Sequence, residues 1–213
     1  MHGIQLKRKS HNVTILEKDP NSERRSQAAG IGFAANVDEF LRLYDATGLR
    51  TSIVSPSTHI SWGKRTKLYR VPVPRNLTSW GLLYRILRAN LDGLATAACP
   101  NPPPPRPGDG NVDYRAGKCV TGLDYTEGHV TVRFVDVSDA SSGEDSVVAD
   151  LVIGADGIHS TVRKLVHAPN TKEYSGYVVW RGTIPEKAVS KEAADFFADG
   201  LGFEMLRRSY MVW

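Results

Sequence analysis

Residues 150–164 read Asp-Leu-Val-Ile-Gly-Ala-Asp-Gly-Ile-His-Ser-Thr-Val-Arg-Lys. The apolar run Val147 to Ile153 predicts a buried strand, and Gly154-Ala155-Asp156-Gly157 ends it in a tight turn. A helix is expected next, from about Ser160 to Leu165, with Ser160 as its N-cap. Glycines at 154 and 157 let backbone approach a ligand closely. Asp156 can hydrogen-bond a sugar-like hydroxyl in the crevice above the strand ends, and the helix N-terminus behind it favours an anion. A helix cap in an ordinary strand–helix junction is the competing reading of the same residues. Strand, glycine turn and helix in that order point to an α/β fold.

A second strand end carries the same chemistry. Val13, Thr14, Ile15 and Leu16 are apolar or β-prone and read as a short buried strand. It ends in Glu17, and Asp19-Pro20 supplies a turn. A carboxylate just past a strand tip can accept both hydroxyls of a ribose; a solvated turn residue is the alternative. Residues His2 to Lys9 look like the last turns of a helix. The helix expected from about Ala35 to Ala46 carries Phe40, Leu41 and Tyr44 at helical spacing, with Gly48 as its C-cap. Ser52 to Pro74 reads as short strands and loops. From Ser79 to Ala98 the apolar face Trp80, Leu83, Leu87, Leu91, Leu94 predicts a helix capped by Ser79. The proline-rich stretch Cys99 to Gly110 reads as an exposed loop. Residues 112–137 alternate as an antiparallel meander turning near Gly128. The run Tyr177 to Ile184 opens a second, β-rich region.

The bulk numbers exclude several classes. With 213 residues, 41% hydrophobic and 23% charged, the chain suits a soluble globular protein holding one domain and the start of another. The net charge is +4, and Lys7-Arg8-Lys9 is the tight basic run. It reads as a solvated helix face, so no nucleic-acid partner is expected. Cys99 and Cys119 match no metal spacing and read as free thiols of a reducing compartment, and no metal is expected. No apolar run approaches the ~18–20 residues of a membrane span, and the N-terminus lacks a signal peptide's apolar core. A cytoplasmic, soluble protein is the expectation.

GADGIHSTVR (154–163) resembles the internal flavin motif of the FAD-dependent aromatic hydroxylases, the family of p-hydroxybenzoate and salicylate hydroxylases. Other segments resemble that family in order: ILEKDP (15–20), RRSQAAGIGF (24–33), LRANLDGL (87–94), GKCVTGL (117–123) and YSGYVVWRGTIPE (174–186). The likeness is greatest to members related to dihydroxypyridine hydroxylases. It implies an incomplete Rossmann-like FAD-binding domain with an antiparallel meander over residues 1–172, and the start of a β-rich substrate domain over 173–213. Glu17 would bind the adenosine ribose. Arg25, in a register uncertain against Arg24, would reach the flavin or pyrophosphate side, in the glycine-rich segment that includes Gly30. Arg88 would be the flavin-associated arginine, with a surface arginine as the alternative. Val120 would offer backbone groups to adenine, with ordinary sheet core as the alternative. Asp156 would hold a hydroxyl of the sugar or ribityl chain, with Gly154 and Gly157 shaping its turn.

The implied reaction is hydroxylation of a small aromatic or heteroaromatic substrate, with FAD as cofactor, NADH or NADPH as co-substrate, and O2. The cofactor carries the chemistry, so no catalytic residue is assigned. An inactive remnant, or a related reductase, epoxidase or halogenase, is the alternative. The resemblance also implies a strand and a G-x-G-x-x-G phosphate loop ahead of Met1, and a second flavin motif beyond Trp213. On that reading these residues alone would be poorly stable, with exposed apolar surface and an open sheet edge. They would bind FAD weakly or not at all.

Overall fold

The structure is a computed structural model. It describes residues 1–21, 30–55, 58–62, 67–71, 75–139, 141–167, 173–176, 178, 184–197, 201–206 and 209–212. The chain forms two compact units, each assembled from separated stretches. One comprises Met1–Gln5, Arg25–Pro107 and Trp180–Trp213; the other comprises Leu6–Arg24 and Gly108–Val179. Neither is bounded at residue 172, where the sequence suggests a division.

In the second unit, β1 (Val13–Glu17) pairs in parallel with β7 (Val112–Ala116), and Glu17 stands opposite Ala116. Gly117, at a φ of 73°, turns the chain into β8 (Lys118–Thr126). There follow β9 (His129–Asp136) and β10 (Glu144–Ala149), in the antiparallel order β10-β9-β8. Gly128 supplies the expected turn at a φ of 83°. The alternation in β9 works as read: Val132 and Phe134 are buried, Phe134 almost completely. The meander thus lies one strand later than the sequence suggests, because β7 joins β1 in a parallel pair.

Two expectations are corrected here. The strand expected to reach Ile153 ends at Ala149, where its pairing with β9 stops. Residues 151–157 have no strand assignment, and Leu151 and Ile153 are exposed. A strand needs a neighbour for its ladder, and this segment has none among the described residues. Helix α4 (Thr161–Val166) then begins where expected and packs against β8.

The second correction concerns the basic run. Helix α1 (His2–Lys7) does end in it, but Lys7 and Arg8 are not solvated. Their side chains are 8% and 9% exposed and both pair with Asp109, itself 5% exposed; the Lys7 Nζ contact is 3.7 Å. The proline-rich stretch, read as an exposed loop, is therefore pinned at its end. Gly110 donates to the Lys7 carbonyl (2.8 Å), Ser10 Oγ donates to the Gly108 carbonyl (2.7 Å), and Val13 donates to that of Asn111 (2.8 Å).

In the first unit, β2 (Gly30–Phe33), β6 (Arg75–Ser79) and β3 (Ile53–Ser55) form an antiparallel sheet in the order β2-β6-β3. A second sheet joins β4 (Thr58–Trp62) and β5 (Lys67–Val71) to β11 (Leu201–Leu206) and β12 (Ser209–Val212), with β11 parallel to β4. Helix α5 (Lys191–Phe197) precedes β11. Helix α2 (Ala35–Tyr44) buries Phe40 and Leu41, as its apolar spacing predicts.

Helix α3 (Trp80–Asp92) is capped by Ser79, whose Oγ accepts from the Leu82 amide at 3.1 Å. It stops six residues short of Ala98 because Gly93 takes a left-handed conformation, φ 73°, so Leu94 is not on its face. Asn90 links the two helices. Its Nδ2 donates to Asp45 Oδ1 (2.7 Å) and its Oδ1 accepts from the Ala46 amide (2.8 Å).

Candidate functional site

Glu17 closes β1, and Val120 is the third residue of the strand β8 that follows β7. Ala116, opposite Glu17, lies only four residues before Val120, and β1 packs beside β8. The Asp19 carbonyl accepts from the Gly117 amide (3.3 Å), fastening the turn after β1 to the start of β8. The half-buried Glu17 carboxylate accepts the Asp19 amide through Oε1 at 2.8 Å. Val120 pairs with Phe134, and Gly122 with Arg133, so Thr121 between them is a bulge residue outside the ladder. Bulges recur where a strand must re-aim its groups. A bulge depends on two strands in register, so no single strand's residues reveal it.

The turn before α4 is organised by Asp156. Its Oδ2 accepts from the Thr161 amide (2.6 Å) and the Val162 amide (3.1 Å), and Ser160 Oγ donates to Oδ1. Ser160 Oγ in turn accepts from the Arg163 amide (2.9 Å). Three of the helix's orphan N–H groups are thereby satisfied, and the cap reading of this segment is present in the structure. A carboxylate has about four acceptor sites, so a ligand hydroxyl would share Asp156 with its own helix. Gly154 is glycine for a packing reason: a Cβ there would lie 2.8 Å from Val162 Cγ1. Gly157 is glycine for a backbone reason, φ 76°.

Partial burial pushes the Asp156 carboxyl up, but the Ser160 hydroxyl and the Val162 and Thr161 amides outweigh it and hold the group below its usual range. A depressed carboxyl contributes stability that is complete above its unfolded value, about 4. That contribution is lost as pH falls through the lower folded value. We predict that the Thr161 and Val162 amide resonances shift together in one transition below pH ~4, and that Asp156→Asn abolishes it. A transition unchanged in the variant would rule out the cap as its source. Asp156→Ala should cost about 1–2 kcal/mol, as lost helix caps do.

Arg88 is not the surface arginine of the alternative reading. It is 6% exposed, and its guanidinium is engaged within α3. Nε and Nη2 donate to Asp92 at 3.0 and 2.7 Å, and Nη1 donates to Tyr84 Oη at 2.6 Å. Trp80 stacks on Tyr84 (centroids 5.0 Å), and the Arg88 guanidinium lies 5.6 Å from the Tyr84 ring centre. Trp80, Tyr84, Arg88 and Asp92 are spaced by four residues and form one ladder along the helix.

Gly30 lies in β2 opposite Ser79, with open space where a Cβ would be, so nothing in its surroundings demands glycine. Arg25, Arg24, Trp180 and Arg181 lie outside the described residues. Glu17, Val120, Gly154, Asp156 and Gly157 all belong to one unit, whereas Gly30 and Arg88 belong to the other. Among the described residues no group of three His, Cys, Asp or Glu could hold a metal, and no helix is long and apolar enough to cross a membrane.

A strand-end acid beside a bulged strand, with a glycine turn leading into a capped helix, belongs to a mixed α/β fold. Comparison with known proteins makes this specific. A family described as FAD binding domain-like matches residues 174–213. The 2,6-dihydroxypyridine 3-monooxygenase of Paenarthrobacter nicotinovorans is 33% identical over 99 residues, 46% of this chain and 23% of that protein. The kynurenine 3-monooxygenase of Salinispora arenicola is 29% identical over 193 residues, 84% of this chain and 38% of that protein. The solved structure of 2,6-dihydroxypyridine-3-hydroxylase from Arthrobacter nicotinovorans superposes with a TM-score of 0.74 and 22% identity, covering 99% of this chain and 47% of that one. The chain is similar in sequence to these monooxygenases and shares part of the fold of the solved hydroxylase. It spans less than half the length of these relatives.

Proposed function

We propose that this chain carries the adenosine end of an FAD site, as part of an aromatic-ring hydroxylase that uses NADH or NADPH and O2. The observation that supports the reading is the strand-end carboxylate of Glu17 on β1, which packs beside the bulged strand β8 that carries Val120. The residues present fit that half of the cofactor: a strand-end carboxylate suits a ribose diol, and a bulged strand suits the edge of a base. Gly154, Asp156 and Gly157 then shape the turn beside the sugar or ribityl chain; the resemblance would put Arg25, Gly30 and Arg88 on the flavin side, although the bonds of Arg88 to Asp92 and Tyr84 favour a structural role for it. FAD supplies the redox chemistry when bound. The chain's own task is to bind it and orient it. Small phenols or hydroxypyridines are the proposed substrates, in line with the names of the relatives, and the cytoplasm is the proposed location. Residues 1–172 are assigned to the flavin domain and 173–213 to the substrate domain.

The test titrates the full chain with FAD and follows fluorescence anisotropy, with AMP as competitor. We expect saturable binding that AMP displaces and that Glu17→Ala weakens at least about tenfold, the loss of a charge-assisted hydrogen bond or more. Unaltered affinity in Glu17→Ala, or no saturable binding at millimolar FAD, would refute the adenosine assignment. NAD(P)H oxidation against a panel of phenols and hydroxypyridines tests the reaction separately.

A further inference from the structure

Arg133 lies across the middle of the meander. It sits on β9, opposite Gly122 of β8 on one side and Ser146 of β10 on the other. Its Nε donates to Asp124 Oδ2 on β8 at 2.8 Å, and its Nη1 donates to Glu144 Oε2 on β10 at 3.2 Å. Gly122 makes room for this arm: a Cβ there would lie 2.4 Å from Arg133 Nη2 and 2.7 Å from Cζ. Gly122 is accordingly buried on a strand whose Thr121 and Asp124 are exposed. The other oxygen of Glu144, Oε1, accepts from Thr121 Oγ1 at 2.6 Å. The Thr121 hydroxyl and the Arg133 guanidinium hold the Glu144 carboxyl below its ordinary value, which keeps it charged. A chain of bonds thus runs from β8 over β9 to β10 and returns to the bulge.

The Thr121 bond exists only because β8 is bulged. Residues opposite each other, or two apart along a strand, share a face, so Gly122, Asp124, Arg133 and Glu144 lie on one side of the sheet. In an unbroken ladder Thr121 would stand opposite Phe134 and face the other way. The bulge leaves Thr121 outside the ladder and sets Val120 opposite Phe134, which is almost completely buried. Successive residues of a strand turn their N–H and C=O groups to opposite edges, and β8 ends the order β10-β9-β8. A slip of one residue would therefore exchange the backbone groups that Val120 offers at that edge. The Arg133, Asp124 and Glu144 side chains are 42%, 55% and 41% exposed, and ion pairs so exposed add little to stability. What they do is favour one register over its neighbour.

We propose that Thr121, Gly122, Arg133 and Glu144 are positioning residues that lock β8 in its bulged register and so fix which base its backbone accepts at Val120. The base-selecting part rests on the adenosine reading above; the register part does not. AMP and IMP separate the two, because adenine offers a donor at N6 and an acceptor at N1 where hypoxanthine offers an acceptor and a donor. The experiment titrates the full chain with each nucleotide and reads the β8–β9 register from cross-strand NMR contacts without nucleotide. We expect the wild type to prefer AMP by about tenfold or more, Glu144→Ala and Gly122→Ala to cut that preference to about threefold or less, and Thr121→Ser, which keeps the hydroxyl, to retain it. Val120 should stand opposite Phe134 in the wild type and in Thr121→Ser, and Thr121 should replace it in a measurable share of both alanine variants. A register unchanged in Glu144→Ala and Gly122→Ala, or AMP and IMP weakened alike by them, overturns the proposal and leaves the adenosine reading standing. A wild type that binds neither nucleotide sinks the adenosine reading and the base-selecting role with it, whatever the register does.

Discussion

Replacing Asp109 by alanine is expected to lower the unfolding free energy by about 3–5 kcal/mol, the usual cost of removing one partner from a buried ion pair. The carboxylate faces two cations whose side chains are at most 9% exposed. Without it, two largely buried cations lose the counter-charge that fastens α1 to residues 108–111. Arg8 Nε is already buried without a hydrogen-bond partner, so Arg8 has little capacity to lose another. Gly110→Ala should be about as severe. A Cβ there would lie 2.0 Å from the His11 carbonyl oxygen and 2.4 Å from its carbon, and backbone cannot swing aside as a side-chain tip can. Gly108→Ala is the control: its φ of 83° carries a left-handed penalty of about 1–2 kcal/mol, but nothing lies within 4 Å of its Cβ. Urea unfolding of the three variants measures the ranking. If Asp109→Ala and Gly110→Ala cost no more than Gly108→Ala, the clasp between α1 and the loop does not hold this unit together. A loss of this size is a large share of the ~5–15 kcal/mol that stabilises ordinary domains.

That clasp was the part of the fold least legible in the sequence. Lys7-Arg8-Lys9 carries no mark that distinguishes a buried pair from a solvated face. Its partner lies a hundred residues away, in a stretch whose prolines point to exposure. Only Asp109-Gly110 at the loop's end hints otherwise, and the hint depends on knowing what Gly110 touches. The helix caps were legible because they are local: Ser79 and Ser160 each sit one residue before an apolar helical pattern, and both accept the expected amide. Glycine stops are equally local, and the left-handed Gly93 ends α3 at Asp92 even though the apolar spacing continues through Leu94.

The site divides along the same line. Glu17 at a strand end and the Gly154–Gly157 turn before a helix are patterns of adjacent residues; Glu17 stands where its pattern puts it, and the turn leads into α4 but does not close a strand. The bulge at Thr121 is a property of two strands in register, and no single strand's sequence reveals it. Val147 to Ile153 looked like one buried strand because seven residues of that composition prefer burial. Pairing decides the outcome, and β9 pairs only as far as Ala149. Leu151 and Ile153 beyond it are exposed, at 67% and 47%.

Arg88 offers the sharpest separation between a structural and a cofactor role. Its guanidinium donates to Asp92 and Tyr84 on α3, so Arg88→Met should cost about 3–5 kcal/mol by stranding Asp92, whose side chain is 15% exposed. Arg88→Lys should recover only part of this, because an ammonium cannot hold Asp92 through two nitrogens while bonding Tyr84 through a third. The double variant Arg88→Met/Asp92→Leu removes both charges and should return most of the stability, as buried pairs replaced by apolar side chains often do. In that background the structural cost is gone, and FAD affinity reports on any remaining role. An arginine that pins α3 predicts a double variant that unfolds like the wild type and binds FAD like the wild type. An arginine that touches the flavin predicts a stable double variant with affinity reduced by tenfold or more. The geometry favours the first outcome, because contact with a cofactor would have to use what a guanidinium already bonded through Nε, Nη1 and Nη2 has left.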